Sequence, residues 1–473
     1  GGGSTGWAGL LLVLLAFGAS RLRKQVPLMA VLLVGTMSMA PACSCGSDAA
    51  GTACFVDEDC LGVCPEGEVG QCFEEECRCL AEVKYGRIGQ FSSMDVAPDG
   101  QVWVSGYNST HGDLVVAGVY EMGRIPDAAW QFVDGVPAEP VVLPPFSTRG
   151  GVKAEGEDVG LYTDIAVNDE GIAMVSYFDA SSGSLKFAAN YGGVWQVHLV
   201  DQGDLSNDDA TAGKLAGQYS SISLDANGVP SIAYFAHVNI GTAEASTEVR
   251  YAVATGPEPR GGSDWAIELV DEAAVSPEDA EADVLTIPLG TGLFVELTRD
   301  LNDAPLLAYY DRINGDLKLA RAAEAGGFDV ETLAEGGDVG WYPSIDVDDA
   351  GIVHASYVDA FNQDLLYIND DDRVATVVDN GYRIVGTTED GLPIPEFHFV
   401  GDDSTLIITA DGVYIAYQDA TTHELLIAYP NNAGEFSRIV IAGAEDPFIG
   451  AYGFFANGKY DGNNLTMSTW VVD

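Results

Sequence analysis

The sequence predicts an all-β protein, built as a ring of four-stranded blades. Three observations lead there. First, the stretch from Gly160 to Asp201 holds four apolar segments separated by short turns at Asn168-Asp169-Glu170-Gly171, at 180–184 and at Tyr191-Gly192-Gly193. That is the pattern of a four-stranded antiparallel meander. Second, a Gly-x-aromatic step opens successive units at Gly89-Gln90-Phe91, Gly160-Leu161-Tyr162, Gly217-Gln218-Tyr219, Gly292-Leu293-Phe294, Gly340-Trp341-Tyr342 and Gly450-Ala451-Tyr452, and a further unit opens at Gly401 with Asp402-Asp403 in place of the aromatic. Third, the second strand of a unit often ends in Tyr-x-Asp, as at Tyr177/Asp179, Tyr309/Asp311, Tyr357/Asp359 and Tyr417/Asp419. A meander cannot bury both faces alone, whereas stacking several and closing them in a ring does. The expected architecture is a seven-bladed β-propeller, with six complete blades and a decorated end as the alternative.

In chain order, residues 1–42 hold no acidic side chain and carry Arg21, Arg23 and Lys24 between two apolar segments, 7–20 and 26–40. Each segment is shorter than the ~20 residues a spanning helix needs. The basic cluster, the second apolar run and Ala40-Pro41-Ala42 before Cys43 read as a secretory signal. Cys43 at that place resembles a bacterial lipoprotein lipidation site, with plain cleavage or an uncleaved anchor as the alternatives. The Gly-rich start, apolar stretch and Arg/Lys cluster of residues 1–24 also resemble the sorting tails of some bacterial surface proteins, which lie at the opposite end of the chain.

All eight cysteines fall between 43 and 79. Such density behind a signal predicts a small disulfide module in an oxidising compartment, with the pairing left open by spacing alone. Zinc is the weaker reading, because the spacings lack paired C-x2-C knuckles. The propeller is expected over 80–473. Its last unit has room for only two strands, so outer strands from around 69–85 are expected to complete the ring.

Insertions concentrate between strand four of one unit and strand one of the next, at 135–159, 202–216, 272–291 and 380–400, and in the third unit at 237–247. In a propeller these segments share one face, and elaborated loops on a rigid scaffold are where function concentrates. The Gly-x-aromatic openings and Tyr-x-Asp endings should meet on that face. The ligand-binding candidates are therefore Asp179, Asp311, Asp359 and Asp419, with Tyr162, Tyr219 and Tyr342, and His237 where the repeat is broken. Carboxylates beside aromatic faces suit a sugar or a cation. The plainer alternative is that Tyr packs between blades and Asp closes its turn.

The repeats over 80–473 resemble bacterial surface propellers and, loosely, sialidase-like folds. The resemblance implies a carbohydrate-related surface role. The sialidase arginine trio is not evident, and the Asp-x-x-Gly turns fall between strands one and two rather than three and four. Two carboxylates can serve as acid and base in glycoside hydrolysis, but no pair is selected by spacing, and no P-loop, Gly-x-Ser-x-Gly or His-Glu-x-x-His motif occurs. Residues 43–473 carry 72 Asp and Glu against 18 Lys and Arg. Such acidity repels nucleic acid and anionic membrane, which leaves membrane attachment to the N-terminal anchor or lipid. It also favours hard cations: Asp204, Asp208 and Asp209 form the densest loop cluster, a candidate Ca²⁺ site, with a solvated loop as the plainer reading. The function expected is an exported cell-surface binding protein recognising glycan or protein, non-catalytic. A carbohydrate-active hydrolase or lyase and a structural or adhesive protein are the alternatives.

Overall fold

A computed structural model of the chain describes residues 53–472 except 55–56, 61–62, 65–67, 74, 82–85, 136–139, 144–146, 151–155, 206–212, 277–287, 432 and 444–446. The described residues are all-β, with three short 3-10 turns. The two N-terminal apolar segments, Cys43, Cys45, Asp208 and Asp209 lie outside them.

Six antiparallel four-stranded sheets follow one another as blades: blade 1 over 88–134, blade 2 over 159–201, blade 3 over 213–274, blade 4 over 291–334, blade 5 over 339–379 and blade 6 over 400–442. Each is a simple meander, as the alternation of apolar runs and turns requires. The expectation of seven blades is corrected to six. The last unit is a two-stranded hairpin, Ala451–Tyr460 with Leu465–Val472, whose first strand packs against the inner strands of blades 6 and 1. It closes the ring, so seven inner strands surround the channel although only six sheets have four strands.

Among the described residues the N-terminal segment adds no outer strand to this hairpin. Glu68–Phe73 and Glu76–Ala81 pair with each other, and disulfides Cys54–Cys72, Cys60–Cys77 and Cys64–Cys79 pin them into their own small module. Two inserted segments likewise form independent hairpins, Pro140–Leu143 with Ser147–Gly150 and Tyr382–Thr387 with Pro393–Phe397. In blade 3 the predicted insertion is no loop: strands Pro230–Ile240 and Ser246–Ala254 simply run longer than their counterparts.

The core lies between blades rather than within one sheet. Met174 and Phe187 of blade 2 pack with Ile232, Tyr234 and Trp265 of blade 3. Leu306 and Leu319 of blade 4 pack with Ile345, Tyr357 and Ile368 of blade 5. Burying one such side chain stabilises by about 1.5–3 kcal/mol. Because both faces of a blade's second strand are covered, Ala173–Asp179 is buried at every position. The fourth strand, Val194–Asp201, is exposed or half-buried until its last two residues.

Candidate functional site: the central channel

Every inner strand carries the same irregularity. In blade 2, Leu161 pairs with Phe178 and Asp164 with Ser176, so Tyr162 and Thr163 together oppose one residue. The same two-against-one bulge recurs in the other five blades and in the closing hairpin. Its first residue takes a positive φ of 48–54° at Phe91, Tyr162, Tyr219, Phe294, Tyr342, Asp403 and Phe455. This assignment moves the last opening from Gly450-Ala451-Tyr452 to Gly453-Phe454-Phe455. Tyr452 is instead buried, its hydroxyl tied to the backbone of Phe448. A bulge re-aims side chains, and here it sends an aromatic toward the axis in six of seven units. Adjacent ring centroids stand 4.3–5.1 Å apart from Phe455 through Phe91, Tyr162, Tyr219 and Phe294 to Tyr342.

Two residues beyond each of these positions, the chain presents a polar side chain: Ser93, Asp164, Ser221, Glu296, Ser344, Thr405 and Asn457. All but Ser221 line a cavity of about 360 Å³ on the short-turn side of the aromatic ring. Two residues further along, Asp95, Ser223, Thr298, Asp346 and Lys459 line it as well. Lys459, more than half exposed, lies 3.5 Å from Asp95.

Most of these groups are committed to the ring itself. Asp164 accepts hydrogen bonds from Ser93 Oγ, Ser221 Oγ and the amides of Ile165 and Ile222. Ser221 Oγ takes the Leu297 amide and Ser344 Oγ the Leu406 amide of the following blade. Glu296 differs: it has no hydrogen-bond or ion-pair partner among the described residues. Burial, then the carboxyls of Asp164 and Asp346, push its pKa well above the ordinary 4.5. Burial also raises Asp164 and Asp346. The cavity thus holds a carboxyl poised to carry a proton, in a wall of hydroxyls, amides and carboxylates.

The residues singled out from sequence fall elsewhere. Asp179, Asp311, Asp359 and Asp419 end their strands on the opposite side of the disc, buried and facing their own turns. Asp179 binds the amide and hydroxyl of Ser182. Asp311 binds the Ile313 amide and Asn314 side chain. Asp359 takes the amides of Phe361 and Asn362 and the Asn362 side chain. Asp419 takes the amides of Thr421 and Thr422, and its second oxygen meets His398 Nδ1 at 2.6 Å and Arg383. The tyrosines two residues earlier clasp the preceding blade: Tyr177 donates to Asp134, Tyr309 to Asp271 and Tyr417 to Asp379. No open carboxylate ring results from these four positions.

Tyr162, Tyr219 and Tyr342 do come together, as members of the aromatic ring. His237 lies outside the channel lining, 3% exposed, with both ring nitrogens unpartnered among the described residues, and burial lowers its pKa to about 4. Asp204 exchanges backbone hydrogen bonds with Lys214. Among the described residues the one converging group of three metal-capable side chains is Cys54, Cys60 and Cys77, all engaged in disulfides. The polar inner ring was missed from sequence, although its signal was present: Gly-x-aromatic-x-polar in five consecutive units from Gly89 to Gly340.

No known family matches the chain, and no curated protein is similar to it in sequence. Among solved structures it is similar to puromycin hydrolase, with a TM-score of 0.42 and 15% identity over 81% of this chain and 50% of that one; it spans half the length of the hydrolase. It is similar also to a fucose-specific lectin from Aleuria aurantia, with a TM-score of 0.39 and 12% identity over 77% and 98% of the two chains. A third is the Penicillium chrysogenum α-L-arabinanase complexed with arabinobiose, with a TM-score of 0.38 and 10% identity over 82% and 89%. These are β-propellers, and the likeness is one of fold.

Proposed function

We propose that the protein is an exported binding protein that holds a small polyhydroxylated ligand, a glycan or the end of one, in the central channel on the short-turn face. The observation that carries this reading is the cavity of about 360 Å³ lined by hydroxyl, amide and carboxyl groups from all seven inner strands. Ligand sites of this kind occupy about 300 Å³ or more, and convergent polar groups fix orientation within them. A sugar hydroxyl both donates and accepts, so it can satisfy Glu296 and the free valences of Thr405 and Asn457 together. Rigidity supports the assignment, since the lining residues tie one blade to the next and lose little freedom on binding. Export rests on the three disulfides of the N-terminal module, which persist in oxidising compartments. Attachment through Cys43, and Ca²⁺ held by Asp204, Asp208 and Asp209, belong to the same proposal and await lipid and metal analysis of the protein.

Calorimetric titration with a panel of neutral mono- and disaccharides tests it. Binding that weakens at least tenfold in Glu296→Gln and in Asn457→Ala is the expected result. Absence of binding to every saccharide at about 10 mM, where a Kd of 1 mM would be near saturation, would remove the polyol reading.

A second reading is favoured by one observation. Burial and the neighbouring carboxyls push Glu296 well above the ordinary carboxylate range, while hydrogen bonds offset part of the rise at Asp164 and Asp346, and carboxyls whose environments push them apart are what glycoside hydrolysis uses as acid and base. Release of reducing sugar from a polysaccharide panel, lost in Glu296→Gln, would select the hydrolase. Binding without turnover selects the first reading.

A further inference from the structure

The seventh place in the ring is filled to only half its width. Blades 1 to 6 have four strands each, whereas Ala451–Tyr460 pairs with Leu465–Val472 and the sheet ends there. Among the described residues the outer edge of Leu465–Val472 is therefore unpaired. That strand holds no charged residue and no proline, the devices by which exposed edges are usually blunted.

The blade before it shows what is missing. In each blade the fourth strand carries an apolar residue just before the partner of an equivalent leucine or valine in the third strand: Val133, Val200, Val270, Leu333, Val378 and Ile441. The first five share a core with outer strands of the following blade, as Val200 does with Trp265 and Val378 with Phe436. Val200, Val270, Leu333 and Val378 are 4–8% exposed and Val133 is half-buried, but Ile441 is 46% exposed. Ile439, also on blade 6, holds the place of His198. Trp265 of blade 3 packs on His198 and donates to it, whereas Ile439 is 47% exposed. What the repeat lays over these positions is the third and fourth strands of the next blade, and the closing hairpin has neither.

We propose that this slot docks a β-hairpin of a partner protein, which pairs with the Leu465–Val472 edge and completes a seventh four-stranded blade. The five equivalent interfaces fix the occupant's form: two antiparallel strands with alternate apolar side chains turned to Ile439 and Ile441. Charge fixes its sign. The chain carries a net charge of −51 and the docking strand contributes none, so an acidic hairpin is repelled and a basic one is steered in. A second copy of the chain would bring the same negative charge. The strands of the disulfide module are paired with each other. The inference concerns the rim of the disc and does not rest on saccharide binding in the channel.

The probe is a labelled synthetic peptide with the sequence of this chain's own outer hairpin from blade 2, Ser184 to Asp201, flanked by lysines. One control peptide carries glutamates in the flanks, and another has proline at alternate strand positions, which cannot complete a ladder. Fluorescence anisotropy with the full chain should give a Kd of about 100 µM or tighter for the lysine-flanked hairpin, about tenfold weaker binding of the glutamate-flanked one, and none of the proline peptide. Ile441→Asn, at an exposed position, should weaken binding about fivefold and leave the melting temperature in place. Hydrogen exchange should find the outward amides of 465–472 open in the free chain and slowed when the hairpin is bound. Lack of binding at about 1 mM peptide, equal binding of either control, or slowing elsewhere but not in 465–472 would each overturn the site. Amides of 465–472 already slow in the free chain would overturn it too, and sedimentation would then tell whether a second copy or a segment of the same chain covers the edge.

Discussion

At the scale of single residues, chemistry follows from what each carboxyl faces. Asp359 accepts three hydrogen bonds from its own turn, so its role is conformational. Asp359→Asn, which keeps an accepting oxygen, is expected to be tolerated, whereas Asp359→Ala should lose about 1–2 kcal/mol, measured by urea unfolding. Asp403 is the opposite case. Burial, reinforced by neighbouring Asp402, raises its pKa from 3.8 to about 7. A carboxyl raised in this way makes its full contribution to stability below its unfolded value. The unfolded chain then gives up its proton first, and stability is lost as pH rises between about 4 and 7. Asp403→Asn should therefore melt higher than the parent protein at pH 7.5, by on the order of 1 kcal/mol or more, and the difference should vanish near pH 4. Glu296→Gln should act in the same direction, since Glu296 too is raised. A constant difference across that range, seen in melting curves at several pH values, would show that neither carboxyl carries a raised pKa.

Among elements, the bulged inner strand and the tyrosine clasp hold each blade to its neighbour. Gly160 sits at φ +101° with a virtual Cβ 2.8 Å from the Leu114 backbone. Its lack of a side chain lets blade 2 approach blade 1. Gly160→Ala should cost about 2 kcal/mol or more, because it adds both backbone strain and a clash with main chain that cannot move aside. Tyr417 spans to Asp379, which also binds Arg383 in bidentate fashion. Tyr417→Phe should cost about 1–2 kcal/mol by leaving a buried acceptor short of a donor. Both are measurable as shifts in denaturation midpoint at constant slope.

For the whole molecule, closure depends on a hairpin and not on a complete seventh sheet. Its inner strand stands where a blade would stand, and the Asp403 carboxylate joins blade 6 to it through the Phe455 amide. The disulfide module is a separate source of order. No cysteine lies beyond Cys79, so reduction should free the module's thiols and leave the main propeller melting transition in place. Circular dichroism and thiol titration before and after reductant check this. A transition that collapses on reduction would mean that the module supports the ring.

What the sequence determined by itself was periodic. Apolar runs broken by turns specify antiparallel meanders, the repeated Gly-x-aromatic step marks each inner strand, and a dense cysteine cluster marks a cross-linked module. These are local signals that each segment carries alone. Blade number and site were decided only by tertiary structure. The count turned on whether two segments far apart in the chain would pair, and Glu68–Phe73 paired with its own neighbour instead. The site turned on the bulge, which shifts the side-chain alternation of every inner strand. It turns the residues after the aromatic into the channel and leaves the Tyr-x-Asp carboxyls closing their own turns. Glu296 looks ordinary in sequence. It becomes distinctive only where seven strands meet around an axis and bring Asp164 and Asp346 beside it.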